Sequence, residues 1–265
     1  MNVLACVKRV PLTGGRIVLT DDQRAISTRH LGFTVSPHEE CACEEAVRLV
    51  EQHGGSSCVL TLGPPEAEEQ LRDMMAIGVE RAIHLLTDGS EWDPQATAAA
   101  IVRAIHAQAD GFDLLLFGNE SADAGNYQVA VRVAYALGLP VVTGVKGVSL
   151  ADGGSLRCEQ EVPGGRDVYV VPLPAVVTVK EGINLPRYPS VPGRLRGQAQ
   201  AGRQLGAGAA RAAARDGPPR GARRPEQAGD GTRPRRRGRA GGRLRAERAR
   251  TGVDVGAGVH RGPGR

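Results

Sequence analysis

Four short apolar runs, Val3–Val7, Cys58–Leu62, Ala82–Leu86 and Leu114–Phe117, are separated by stretches whose apolar residues repeat at three- and four-residue spacing. A strand that is apolar at every position is buried on both faces. The amphipathic helices between such strands supply the cover, so this order dictates a parallel sheet with helices on both sides. Right-handed crossovers make it an open α/β fold, with any ligand at the carboxyl ends of the strands.

The helix boundaries carry their own signals. Ser36, Pro37, His38 and Glu39 open the first helix as a capping box, with Ser36 as N-cap, Pro37 at the first helical position and Glu39 reaching back. Its apolar face runs through Cys43, Ala46, Val47 and Val50, Glu44 and Arg48 are spaced to pair four apart, and Gly54-Gly55 ends it. A second helix after Pro64-Pro65 turns Leu71, Met74, Met75 and Ile77 inward. A third starts at Pro94 and repeats Ala98, Ile101, Val102 and Ile105. A fourth starts at about Tyr127 and repeats Ala130, Val133, Ala134 and Leu137. After Pro140 the pattern changes: Gly147–Glu159 and Arg166–Val171, turning at Gly153-Gly154 and Gly164-Gly165, read as added antiparallel strands, and Ala175–Val179 as one more apolar strand.

Charge divides the chain in two. Of its 34 Lys+Arg and 29 Asp+Glu residues, the stretch 197–265 holds 17 Arg, no Lys and 5 acidic residues, which leaves 17 basic and 24 acidic residues, a net −7, in 1–196. The basic pI belongs to that tail, and it gives the folded part no claim on nucleic acid. Arg, Gly and Ala make up 47 of the tail's 69 residues, and it has no aromatic residue. Such a chain buries too little apolar surface to offset roughly 1–2 kcal/mol per residue of backbone ordering, so disorder is expected over 197–265.

Several classes fall away. No apolar run approaches the roughly 18–20 residues that span a bilayer, and no signal or transit pattern precedes the first strand. The five cysteines form no C-x-x-C pair and read as free thiols in a reducing cytoplasm. His38, His84 and His106 are expected at helix or strand ends rather than as metal ligands. The phosphate-binding, dinucleotide, zinc-protease and serine-hydrolase motifs are absent, and no nucleophile and base stand together, so the chain does not read as an enzyme.

One loop stands out, made of Gly118, Asn119, Glu120, Ser121, Ala122, Asp123, Ala124, Gly125, Asn126, Tyr127 and Gln128, between a strand and a helix. Its small residues allow close backbone approach, and the helix N-terminus behind it offers free N–H groups and a positive dipole end, which suits a phosphate. A long polar loop capping a helix would share this pattern. A second segment, Leu185–Gly193, carries Leu185, Tyr188 and Val191 on a backbone stiffened by three prolines, a composition that suits partner recognition or a surface return loop.

Taken in order, these landmarks resemble the β subunit of electron transfer flavoprotein over residues 1–196. They are Val7-Lys-Arg-Val10, Ser36-Pro37 ahead of Glu44-Glu-Ala-Val-Arg-Leu49, Leu62-Gly-Pro64, Gly78-Val-Glu-Arg-Ala82, the 118–128 loop, Pro174-Ala-Val-Val-Thr178 and Pro186-Arg-Tyr188. The resemblance implies a Rossmann-like, adenine-nucleotide-binding sheet and a heterodimer with an α subunit. That α subunit holds most of an FAD, which carries electrons from flavin-dependent dehydrogenases to a quinone oxidoreductase or similar acceptor. It also implies a structural AMP, or a second FAD in bifurcating relatives. The AMP would lie against Cys6, the Ser36–Glu39 turn, Leu62 and the loop from Gly118 to Val129, with Asp123, Asn126 and Gln128 at polar positions.

The family's partner-recognition loop falls on Leu185–Gly193, with Val191 where Leu is usual, and a Tyr that some members carry near the flavin is Thr13 here. The family's Lys-rich stretch and C-terminal arm are missing after residue 196. GC-rich codons in a shifted frame give the mixture found there, so a frameshift near 197 is expected, the rival being a genuine basic tail that neutralises phosphates. A bacterial cytoplasmic electron carrier is the resulting expectation; the alternative is a flavin-free adenine-nucleotide sensor or stress-type module.

Overall fold

The computed structural model describes residues 1–12, 14, 17–199, 203–206 and 245–249. Strand β1 (Asn2–Val7) leads into β2 (Arg9–Pro11) and β3 (Phe33–Val35), which pair antiparallel as a small separate sheet. Helix α1 (Pro37–His53), β4 (Ser56–Gly63), α2 (Glu68–Ala76), β5 (Arg81–Leu86), α3 (Pro94–His106), β6 (Leu114–Gly118) and α4 (Val129–Leu137) alternate after it. Then follow β7 (Val141–Ala151), β8 (Ser155–Val162), β9 (Gly165–Pro172), β10 (Ala175–Val179) and α5 (Val191–Ala199).

The main sheet runs β5-β4-β1-β6-β10-β7-β8-β9. The strands from β5 to β7 are parallel to their neighbours, and β7, β8 and β9 form the added antiparallel part. This is the α/β architecture dictated by the alternation. Successive residues of the central strands serve opposite faces: Val3, Ala5, Leu114 and Leu116 join the core made with α1 and α2, whereas Leu4, Cys6, Leu115 and Phe117 join the one made with α3 and α4. Each fully buried leucine there stabilises the fold by roughly 1.5–3 kcal/mol. The chain builds outward from β1 through β4 to β5, then returns to the other side of β1 as β6. The order therefore reverses across the carboxyl end of β1, which is where open α/β sheets place their ligands.

Several local expectations are corrected. Arg48 pairs with Glu45 (3.9 Å) rather than Glu44, because Glu44 is taken by Arg187 from a distant loop. His84 lies inside β5, fully buried, with Nε2 3.2 Å from the Gly63 carbonyl. Helix α4 begins at Val129, because Tyr127 sits at φ +56°, outside helical geometry. The proline-stiffened segment is irregular only up to Ser190, and α5 starts at Val191, with Pro192 in the first turn where its missing N–H costs nothing. All five cysteines are free and buried.

Of the stretch 197–265, residues 197–199 end α5, β11 (Arg203–Gly206) lies parallel beside β5, and β12 (Arg245–Ala249) lies antiparallel beside β9. Thr13 and the rest of that stretch lie outside the described residues.

Candidate functional site

A cavity of about 620 Å³ opens where the carboxyl ends of β1, β4, β5 and β6 meet. One part of its wall is apolar, formed by Leu60, Leu62, Trp92, Ile101, Phe117 and Ala130. Another is the loop between β6 and α4. Of the residues expected at a nucleotide, Cys6, Glu39, Leu62, Gly118, Asn119, Glu120, Ser121, Asp123, Ala124, Asn126, Tyr127, Gln128 and Val129 line this one cavity. Ser36, Pro37, His38, Ala122 and Gly125 are not among its lining residues.

Hydrogen bonds and close packing between the start of α1 and the loop fix the shape of this wall. Ser36 and Glu39 form the capping box of α1, and the Ser36 hydroxyl accepts the Ala122 N–H at 2.9 Å, tying the start of α1 to the loop. The Gly125 N–H donates to the Ser121 carbonyl at 3.1 Å and closes the loop's turn. Gly118 is where the two elements meet: a Cβ added there would lie 2.6 Å from Glu39 Cγ and 3.2 Å from His38 Cβ. Asn119 is held from the other side, its Oδ1 accepting the Thr178 hydroxyl (2.8 Å), which itself accepts the Gly144 N–H (2.9 Å). The first-turn N–H groups of α4 have no intrahelical acceptor, and Val129 and Ala130 of that turn belong to the wall.

Glu39 is almost wholly buried beside this wall. Burial pushes its carboxyl up to about 8, against the pull of the Lys8 and Ser36 N–H groups that donate to Oε2 at 3.1 and 3.3 Å. Gln128 does not turn its amide to the wall alone, because its Oε1 accepts from the Arg132 guanidinium at 2.9 Å. His38 Nδ1 is buried without a hydrogen-bond partner, 4.0 Å from a Glu120 carboxylate oxygen.

Lys8 plays a part that sequence reading missed. Its ammonium bridges Asp123 (2.7 Å) in the loop after β6 and Glu91 (2.9 Å) in the loop after β5, so two walls of the cavity are joined through the residue after β1. Burial opposes the charge of both Lys8 and Asp123, but their ion pair outweighs it, leaving Lys8 raised and Asp123 lowered. Both stay ionised at neutral pH. Arg9 adds a guanidinium 3.3 Å above the Phe33 ring, and the segment with Ala25, Ile26 and Thr28 completes the rim. The only signal for these was Val7-Lys-Arg-Val10 itself, charged residues directly after an apolar strand.

Leu185 and Tyr188, on the segment that crosses α1, and Val191, at the start of α5, do not line the cavity and are 89%, 95% and 75% exposed. Among the described residues no group of three His, Cys, Asp or Glu could hold a metal ion, and no helix is long and apolar enough to cross a membrane.

The family follows from comparison with known proteins. The family model described as "Electron transfer flavoprotein domain" matches residues 25–216. "Electron transfer flavoprotein subunit beta" of Bacillus subtilis (strain 168) is 33% identical over 196 residues, 74% of this chain and 75% of that protein. The protein of the same name from Mycobacterium leprae (strain TN) is 35% identical over 198 residues, 72% of this chain and 74% of its own. "Protein FixA" of Azorhizobium caulinodans is 33% identical over 193 residues, 69% of this chain and 67% of its own. With a parallel α/β sheet, a loop cradled on Gly118 and these matches in hand, the chain belongs to the electron transfer flavoprotein family, as a member of its β-subunit branch.

Proposed function

We propose that this chain binds AMP in the cavity at the β1–β6 switch and, with an α subunit, completes the site of an FAD that passes electrons from flavin-dependent dehydrogenases to a quinone oxidoreductase or similar acceptor in the bacterial cytoplasm. The observation that carries the reading is the convergence of thirteen expected nucleotide-binding residues on one cavity of about 620 Å³. That volume falls among those of small-molecule sites, roughly 300–1,000 Å³. The apolar part of the wall suits a flat base, and the free N–H groups at the start of α4 suit a single phosphate. Lys8 is already shared between two carboxylates, so the phosphate would rest chiefly on backbone donors.

FAD, when bound, supplies the one- and two-electron chemistry. The role of this chain is to bind, orient and dock: a positioned AMP would fix the loops of the cavity, and the exposed residues Leu185, Tyr188 and Val191 would meet the dehydrogenase. Co-expression with an α subunit tests the reading. A yellow complex that stays together through size-exclusion chromatography supports it. A colourless chain that retains adenine nucleotide and leaves the α subunit unbound would favour the flavin-free module instead.

A further inference from the structure

The wall of the cavity at the β1–β6 switch carries more negative than positive charge. Its lining includes the carboxylates of Glu91, Glu120 and Asp123 and the cations of Lys8 and Arg9. Glu39 lines it too, but burial lifts its carboxyl to about 8 and keeps it largely protonated at neutral pH. Both cations are engaged. Lys8 is held by Asp123 and Glu91, and the Arg9 guanidinium lies 3.3 Å from the centre of the Phe33 ring, in the field of Glu66 and Glu69. Glu120 differs from the other two carboxylates. Among the described residues no lysine or arginine pairs with it, and its basic neighbour is His38, with Nδ1 at 4.0 Å.

Glu120 is nonetheless held in place. The Tyr127 hydroxyl donates to its carboxylate, and Oε2 lies 3.8 Å from where a Cβ would stand on Gly125. Tyr127 makes this contact from a backbone at φ +56°, a left-handed conformation that a bulky residue keeps only where its surroundings enforce it. The Glu120 side chain is 35% exposed, so water screens its charge less than that of a free surface carboxylate. The same loop ends at Val129 and Ala130, whose turn offers free N–H groups to a phosphate.

We propose that Glu120 sets the specificity of the cavity: it limits the site to nucleotides with one terminal phosphate by repelling the charge of a second, and Tyr127 is the positioning residue that holds it there. This rests on the reading of the cavity as a nucleotide site. The first phosphate is met by backbone donors at the start of α4. A phosphate added to it brings about one further negative charge at neutral pH. Among the described residues of the lining it finds no unengaged cation, because Lys8 is committed to Asp123 and Glu91. Like charges a few ångströms apart in a partly dry site repel more strongly than in water, and a discrimination of about tenfold is expected from Glu120.

The test uses the full chain, unfolded to release its nucleotide and refolded with its α subunit and FAD in equal concentrations of AMP and ADP, with a chelator to remove divalent cations. The nucleotides taken up are then released and counted. The wild type is expected to prefer AMP to ADP by about tenfold or more. Glu120→Gln keeps an acceptor of the same size for Tyr127 and removes the charge, so the ratio should fall about tenfold at unchanged total occupancy. Tyr127→Phe frees the carboxylate and should lower the ratio part of the way. Added salt should narrow the wild-type ratio and leave that of Glu120→Gln nearly unmoved, which a merely structural role would not produce. A ratio equal in the wild type and Glu120→Gln overturns the proposal and leaves the nucleotide site standing. A wild-type complex that takes up neither nucleotide overturns the reading beneath it. Loss of both nucleotides from Glu120→Gln, with the ratio unchanged in Tyr127→Phe, would make Glu120 a structural residue and also overturn the proposal.

Discussion

Gly118→Ala is expected to destabilise the folded chain by about 1–3 kcal/mol, as overpacking of a well-filled site does, and to strip the cavity of its nucleotide. The reason is close approach. The added methyl would sit 2.6 Å from Glu39 Cγ and 3.1 Å from the Glu39 backbone nitrogen. Glu39 cannot simply swing aside, because its carboxylate is fixed by two backbone N–H groups, one of them the Lys8 N–H. The loop from Gly118 onward must therefore move away from α1, breaking the contact between the Ala122 N–H and the Ser36 hydroxyl. Denaturant unfolding of the variant and the nucleotide content of its complex check this. A variant that unfolds at the wild-type midpoint and keeps its nucleotide would show that the cradle is slack.

Glu39 also makes stability depend on pH, in a direction that can be worked out. Burial raises its carboxyl from 4.5 to about 8 in the folded chain. The folded state thus holds a proton that the unfolded chain has released between those values. A raised carboxyl contributes stability that is complete below 4.5 and is lost as pH climbs through about 8. Between pH 5 and 8 the full chain should lose stability on the order of a few kcal/mol from this group. Asp123 and Glu51, both lowered, contribute in the opposite sense, but their change is confined to more acidic pH. Glu39→Gln keeps an acceptor for the N–H groups and removes the titration, so its melting temperature should vary much less over the same interval and equal or exceed the wild type's at pH 8. Parallel profiles for the two proteins would contradict the burial of an ionisable group at this position.

What could be read from the sequence follows from how local each cause is. Continuous apolar strands and helix caps depend on near neighbours, so β1, β4, β5, β6 and the capping box at Ser36 were legible residue by residue. The 118–128 loop was legible because small residues, a preceding strand and a following helix are also adjacent in sequence. Residues joined across long separations were not. Lys8 meets Asp123 and Glu91, and Arg187 meets Glu44, only because the sheet order brings β1, β5, β6 and the segment after β10 together. The pairing of Glu44 with Arg48 failed for that reason: spacing on a helix names the available partner, and tertiary packing supplied a better one. His84 likewise read as an end residue because its partner, the Gly63 carbonyl, lies on a neighbouring strand.

Counting the nucleotides is the most direct test of the central claim. The complex of this chain with its α subunit is denatured, and the released adenine nucleotides are separated by chromatography and quantified against protein. One FAD and one AMP per heterodimer is the predicted result. Two FAD and no AMP would move the chain to the bifurcating type, and an absence of any adenine nucleotide from the wild-type complex would contradict the assignment of the cavity.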